Sequence, residues 1–100
     1  MVIWTPGARS DLKAIHNYIA SDAPMNARQV VADLRLKADS VADVPLSGKV
    51  IPELNDDSLR EVHANSWRIF YHVRHRDVFV IAVVHKRRQL APEDIQGLFR

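Results

Sequence analysis

Between Ser58 and His85, three runs rich in Val, Ile, Phe, Tyr and Trp are separated by two short polar breaks, Ala64-Asn65-Ser66 and His75-Arg76-Asp77. β-branched and aromatic residues suit a pleated, half-buried surface, and Asn, Ser and Asp suit reversals between strands. This pattern constrains the fold more than any other in the chain, and it predicts an antiparallel meander. A small sheet needs a covering layer for its apolar face, so the residues before it are expected to supply helices.

The earlier residues carry the required spacing. Val2-Ile3-Trp4 is a short strand candidate, closed by Thr5-Pro6-Gly7. Thr5 is placed to cap a helix that begins at Pro6, where the missing N–H is not needed. Ala8, Leu12, Ile15 and Ile19 then recur at helical intervals, a helix of about four turns. Ser21-Asp22-Ala23-Pro24 breaks it. Ala27, Val30, Val31, Leu34, Ala38 and Val41 form the stripe of a second helix, and so short a turn implies an antiparallel hairpin.

Val50 to Leu54 reads as an edge strand or irregular entry, because Pro52 lacks a ladder donor. Leu59 to His63 and Trp67 to Arg74 are expected to pair as a hairpin. Val78 to Val84, apolar on both faces, is the expected central strand. Ala91-Pro92-Glu93-Asp94 starts a closing helix with acids in its first turn. The expected architecture is one α+β domain over residues 1–100: β-α-α-β-β-β-α, a helical hairpin packed on a small antiparallel sheet. One sheet face is expected to stay open and basic. Arg68, His72 and Arg74 would share it, although Phe70 interrupts the alternation.

Composition narrows the function classes. With 47% apolar and 26% charged residues, the chain is ordinary globular material. There is no cysteine, which excludes thiol chemistry and suits a reducing compartment. No apolar run reaches the roughly 18–20 residues of a membrane span, and no secretory signal pattern opens the chain, so the cytoplasm is expected. The net charge of +2 conceals an asymmetry. Residues 1–58 hold six Lys/Arg against eight Asp/Glu, and residues 59–100 hold eight against four. An anionic partner is therefore expected at the sheet end.

Specific catalytic patterns are missing. The three glycines are not clustered into a phosphate loop. His72 and His75 are spaced to point to opposite faces of a strand, which argues against zinc. No metal or other cofactor is expected, and no serine stands in a nucleophile turn. What remains is Arg60, Arg68, His85, Lys86, Arg87 and Arg88 near strand ends. Guanidinium groups hold phosphate bidentately, and a histidine beside them transfers protons near neutrality. These are parts that metal-free RNA cleavage uses. The blander reading of Arg68 is an ion pair with Glu61 on the neighbouring strand, and that of His85 is a hydrogen-bonded strand end.

Several segments, taken in order, resemble the RelE/ParE superfamily of bacterial toxin–antitoxin toxins. They are Trp4-Thr5-Pro6 with Ala8 and Asp11-Leu12, then Tyr18 to Pro24, Leu59-Arg60-Glu61, Trp67 to Tyr71, and Val83 to Arg88. The resemblance implies a helical hairpin on a sheet, in agreement with the architecture above. It also implies two possible activities. In the RelE-like branch, toxins cleave mRNA on the ribosome, and Arg68, His85 and Arg87 would be the catalytic set. A lysine of that branch falls here near Glu61, and no tyrosine follows Tyr71.

The ParE-like branch instead inhibits DNA gyrase by binding. The Leu-Arg-Glu segment and the Asp-Ala-Pro between the helices look more like that branch. The resemblance therefore implies a non-enzymatic gyrase inhibitor, with mRNA endoribonuclease as the alternative and a module without toxicity as the third option. Arg60, Arg68, Lys86, Arg87 and Arg88 are the expected target-binding residues. The implied partner is an acidic, DNA-binding antitoxin of ribbon-helix-helix type, seated on the helices at Leu12, Ile15, Ile19, Val31 and Leu34.

Overall fold

A computed structural model describes residues 1–99. β1 (Val2–Trp4) leads into α1 (Pro6–Ala20) and α2 (Pro24–Asp39). After a 3-10 turn at Pro45–Ser47 come β2 (Lys49–Val50), β3 (Leu59–Ala64), β4 (Trp67–Arg74), β5 (Asp77–His85) and α3 (Pro92–Leu98). The strands form one sheet in the order β1-β5-β4-β3-β2. The meander β3-β4-β5 is antiparallel as expected, while β1 joins its edge parallel to β5. β4 is therefore central, and β5 lies beside it.

Local chemistry accounts for the boundaries. Thr5 Oγ1 accepts from Ala8 N at 3.2 Å, capping α1, and donates to Val80 O at 2.8 Å. One side chain thus both starts the helix and fastens it to β5. Both hairpin loops have two residues, since Ala64 pairs with Trp67 and Arg74 with Asp77. Asn65 and His75 open these loops at φ 52° and φ 57°, the left-handed conformation that Asn and His tolerate better than most. Of the expected 50–54 strand only Val50 pairs, together with Lys49 before it, because the chain turns at Pro52. There Leu54 N and Asn55 N both donate to Ile51 O at 3.0 Å.

The helices bury Ala8, Leu12, Ile15, Leu34 and Ala38 against Ile69, Val80 and Val83 of the sheet. On β4, odd-numbered residues 67 to 73 face the helices, and even-numbered residues 68 to 74 face away. A bulge keeps β5 in step: Phe70 pairs with Ala82 and Tyr71 with Val80, so Ile81 has no partner on β4. Beyond Trp4 the outer edge of β5 is not covered by a strand. Asp11 Oδ2 on α1 accepts from Val83 N there at 2.9 Å, and burial holds its carboxyl above the usual range.

The face away from the helical hairpin is not open. α3 lies on it, with Ile95 inserted among Ile51, Phe70, Ala82 and Val84. Asp94 accepts from Ala91 N at 3.1 Å to close the first turn, and Phe99 meets His72 edge-on at 6.3 Å. Phe70 is therefore no fault in the strand pattern, because it is the residue on which α3 docks. Ile95→Ala should destabilise the chain by about 2–5 kcal/mol, measured by urea unfolding. The exposed Gln96→Ala should stay within about 0.5 kcal/mol of the parent.

Candidate functional site

Arg68 projects from the α3 face of β4, opposite His63 of β3. Glu61, two residues along β3, shares that face. The turn at Pro52 brings Glu53 over the same spot. Arg68 Nη1 and Nη2 donate to the two oxygens of Glu53, each at 2.9 Å. Its Nε and second Nη2 hydrogen reach Glu61 at 3.1 and 2.6 Å. The guanidinium plane also lies over Phe70, 4.7 Å from the ring centroid.

Glu61 is fully buried and also contacts His63 Nε2. Burial resists its ionisation, but hydrogen bonds and charge from Arg68 and His63 outweigh that, and its carboxyl is held below the usual range. The Arg68 hydrogen bond likewise lowers Glu53. The two carboxylates push Arg68 upward against its own desolvation, so it stays cationic. With a side-chain exposure of 12%, this arginine is an internal ion. Its guanidinium offers no open fork to phosphate.

The other expected target-binding residues lie elsewhere. Arg60 pairs with Tyr71 on β4, on the helix-side face. Its guanidinium donates to three backbone carbonyls: Asp57 O at 2.9 Å, Leu46 O at 3.1 Å and Gly48 O at 2.9 Å. Arg60 and Arg68 thus occupy opposite faces, and both serve the structure. Lys86, Arg87 and Arg88 are exposed in the turn after β5. Among the expected set they remain open to another macromolecule.

The ribonuclease set is not gathered. His85 pairs with Trp67, packs edge-on to its ring at 5.1 Å and faces the helices, whereas Arg68 pairs with Val84 and faces α3. His85 Nδ1 accepts from Arg87 N at 3.1 Å, which leaves the proton of the neutral ring on Nε2. In that tautomer the outer nitrogen donates and is no base. The expected basic sheet face is corrected too. Glu53 and Glu61 neutralise its strongest cation, and α3 covers its middle. Glu61 was legible as a partner for Arg68, but Glu53 was not, since only the fold of the Pro52 turn brings it near.

The expected antitoxin contacts divide by burial. Leu12, Ile15 and Leu34 lie in the core, because the apolar stripe of each helix is consumed by its own sheet. Ile19 and Val31 are half-buried and keep accessible surface, beside the exposed Tyr18, Met25 and Leu36 on the same two helices. No helix is long and apolar enough to cross a membrane, among the described residues.

Removing one member of the Arg68 cluster strands a buried charge. Arg68→Ala and Glu61→Ala should each cost about 3–5 kcal/mol, read from urea midpoints, so any loss of activity in them needs a folding control. Glu53 and Glu61 both titrate below their unfolded value of 4.5. Their contribution is therefore present above that pH and is lost as pH falls through the depressed folded values. Asp11 has the opposite sign: its raised folded value favours the native state only while the carboxyl is protonated, and the benefit goes as pH rises. Asp56, lowered by hydrogen bonds from the Ser58 backbone and hydroxyl, acts in the same direction as the glutamates, so three stabilising groups outnumber one. Unfolding free energy should fall as the buffer is taken from about pH 6 to about pH 3, and less steeply in Glu53→Gln.

Comparison with known proteins bears on what this arrangement serves. Residues 2–90 match the family model described as "ParE toxin of type II toxin-antitoxin system, parDE". A curated relative, Toxin RelE2 of Caulobacter vibrioides, is 34% identical over 88 residues, covering 87% of this chain and 96% of the relative. The solved structure titled "Chromosomal ParDE TA system from P. aeruginosa" superposes with a TM-score of 0.72 at 18% identity. That match covers 84% of this chain and 92% of the other, and it supports the fold. The chain is thus a type II toxin–antitoxin toxin of the RelE/ParE superfamily and belongs to the ParE toxin family.

Proposed function

We propose that the chain arrests growth by binding DNA gyrase without cleaving nucleic acid, and that it does so in the cytoplasm. The observation that carries this reading is the state of Arg68. A phosphoryl-cleaving site needs a cation free to stabilise charge on the transition-state phosphate. Here that cation already has two carboxylate partners, and His85 lies on the other face of the sheet. Binding a protein target needs no such constellation, only a complementary surface.

The partner that holds the toxin inactive is an antitoxin, as membership of a toxin–antitoxin family implies. We infer an acidic chain with a ribbon-helix-helix DNA-binding part. It would lay an amphipathic segment on the helical hairpin, using the accessible edges of Ile19 and Val31. Endoribonuclease action is the second reading. It draws on the exposed Lys86, Arg87 and Arg88 beside His85 and on the RelE name of the Caulobacter relative.

Purified chain titrated into gyrase with relaxed plasmid should abolish supercoiling or trap cleaved DNA. Unimpaired supercoiling at saturating chain would overturn the gyrase reading. Primer extension on RNA from expressing cells should show intact transcripts. Cuts within codons, abolished by Arg87→Ala, would instead support the ribonuclease.

A further inference from the structure

The connection from α2 to β2 is held more firmly than a connection requires. Val41 is buried against Tyr71 and Val78. Val44 N then donates to Val41 O at 3.2 Å, and Ser47 N to Val44 O at 2.9 Å. From beneath, Tyr71 Oη donates to Pro45 O at 2.7 Å and accepts from Gly48 N at 3.0 Å. Arg60 Nη1 holds Leu46 O and Gly48 O. A Cβ on Gly48 would come within 2.3 Å of Tyr71 Oη and 2.7 Å of Glu61 O, so only glycine permits this approach. Two sheet side chains thus fix the backbone of residues 45–48.

The side chains on that backbone point into water. Val44 is 55% exposed and Leu46 61%. Lone exposed apolar residues need no explanation, but these two do not stand alone. Leu46 lines a groove of about 570 Å³ with Pro45, Met1 and Val73, and Val44 flanks Leu46 in a neighbouring apolar hollow. The far wall of the groove is the β4–β5 turn, His75 and Arg76. Arg76 is exposed and has no carboxylate within ion-pair distance among the described residues. Asp43 is the acid on the near wall, and Asp77 lies 3.6 Å from the Met1 amino group.

We propose that this groove grips the toxin's protein target through an acidic–apolar segment of that target. A large apolar side chain rests on Leu46 and Val73, and a carboxylate meets Arg76. Charge complementarity selects the acid, because Arg76 on the far wall has no carboxylate within ion-pair distance among the described residues. The rigid backbone limits the entropy lost on binding, which makes a small surface effective. Nucleic acid fits less well, since the floor is apolar. The antitoxin surface proposed above begins at Ile19, next to the turn between α1 and α2, whereas the groove follows the far end of α2. The inference rests on the reading of the chain as a toxin that acts by binding a protein.

Leu46→Asp, Val44→Asp and Arg76→Glu test it, with Lys13→Glu on the exposed side of α1 as the control. Each variant is compared with the parent by thermal melting, by growth after induced expression, and by inhibition of purified gyrase. All are expected to melt like the parent. If an aspartate disturbs the 3-10 turn, Arg76→Glu still reports, since it lies outside the core. The three groove variants should weaken growth arrest and gyrase inhibition at least about tenfold, and Lys13→Glu should change neither. Undiminished arrest in Leu46→Asp and Arg76→Glu overturns the proposal. So does arrest that persists but is no longer relieved by co-expressing the antitoxin encoded beside the toxin, since that assigns the groove to the antitoxin. Relief of arrest by the groove variants, when even the parent leaves gyrase active, supports the groove and rejects gyrase as the target.

Discussion

The guanidinium of Arg68 sits where three parts of the chain meet. Its own strand supplies the base, β3 supplies Glu61 beneath it, and the turn at Pro52 supplies Glu53 beside it. Two charges of one sign and one of the other close on each other, with Phe70 as a greasy support. A buried ion cluster of this kind is a poor source of net stability but a strict one of arrangement, since every wrong arrangement strands a charge. The turn it anchors places Ile51 and Leu54 around Ile95. The seat of α3 therefore depends on this cluster, and so does the closure of the second sheet face.

That dependence explains which parts of the fold were legible in the sequence. Thr5-Pro6 announced α1 because a cap and a first-turn proline act within a few residues. Asn65 and the polar break at His75 announced the hairpins for the same reason. The bulge at Ile81 was not legible, because Ile, Ala and Val succeed one another there with no polar residue to mark the change of face. Phe70 looked like a break in alternation only while the far face was taken to be open. Ile95, Leu98 and Phe99 mark a packing face in the sequence, but so short an apolar face does not declare which surface it covers. In the fold Ile95 and Phe99 pack on the sheet while Leu98 stays exposed.

The candidate site was legible in its residue types and not in its geometry. Arg60, Arg68 and His85 are all near strand ends, as the sequence implies, yet pairing register assigns Arg68 to one face and Arg60 and His85 to the other. A shift of one residue reverses such an assignment, and charge counting is blind to it. The expected docking residues failed for a related reason. Periodicity identifies the apolar stripe of a helix, but it cannot tell whether the chain's own sheet or another protein covers that stripe. Leu12 and Leu34 answer to the sheet.

Once those residues are assigned to the interior, the surface divides by chemistry. The helical hairpin shows apolar edges, the turn after β5 shows three consecutive cations, and the opposite end of the sheet shows apolar side chains on a braced backbone. Bracing separates the last of these from ordinary exposure. Tyr71 and Arg60 direct their polar groups at the backbone of residues 45–48, although nothing in the core needs Leu46 where it stands. A loop held by side-chain hydrogen bonds from the sheet and turned outward is the arrangement expected of a surface that must be ready before its partner arrives.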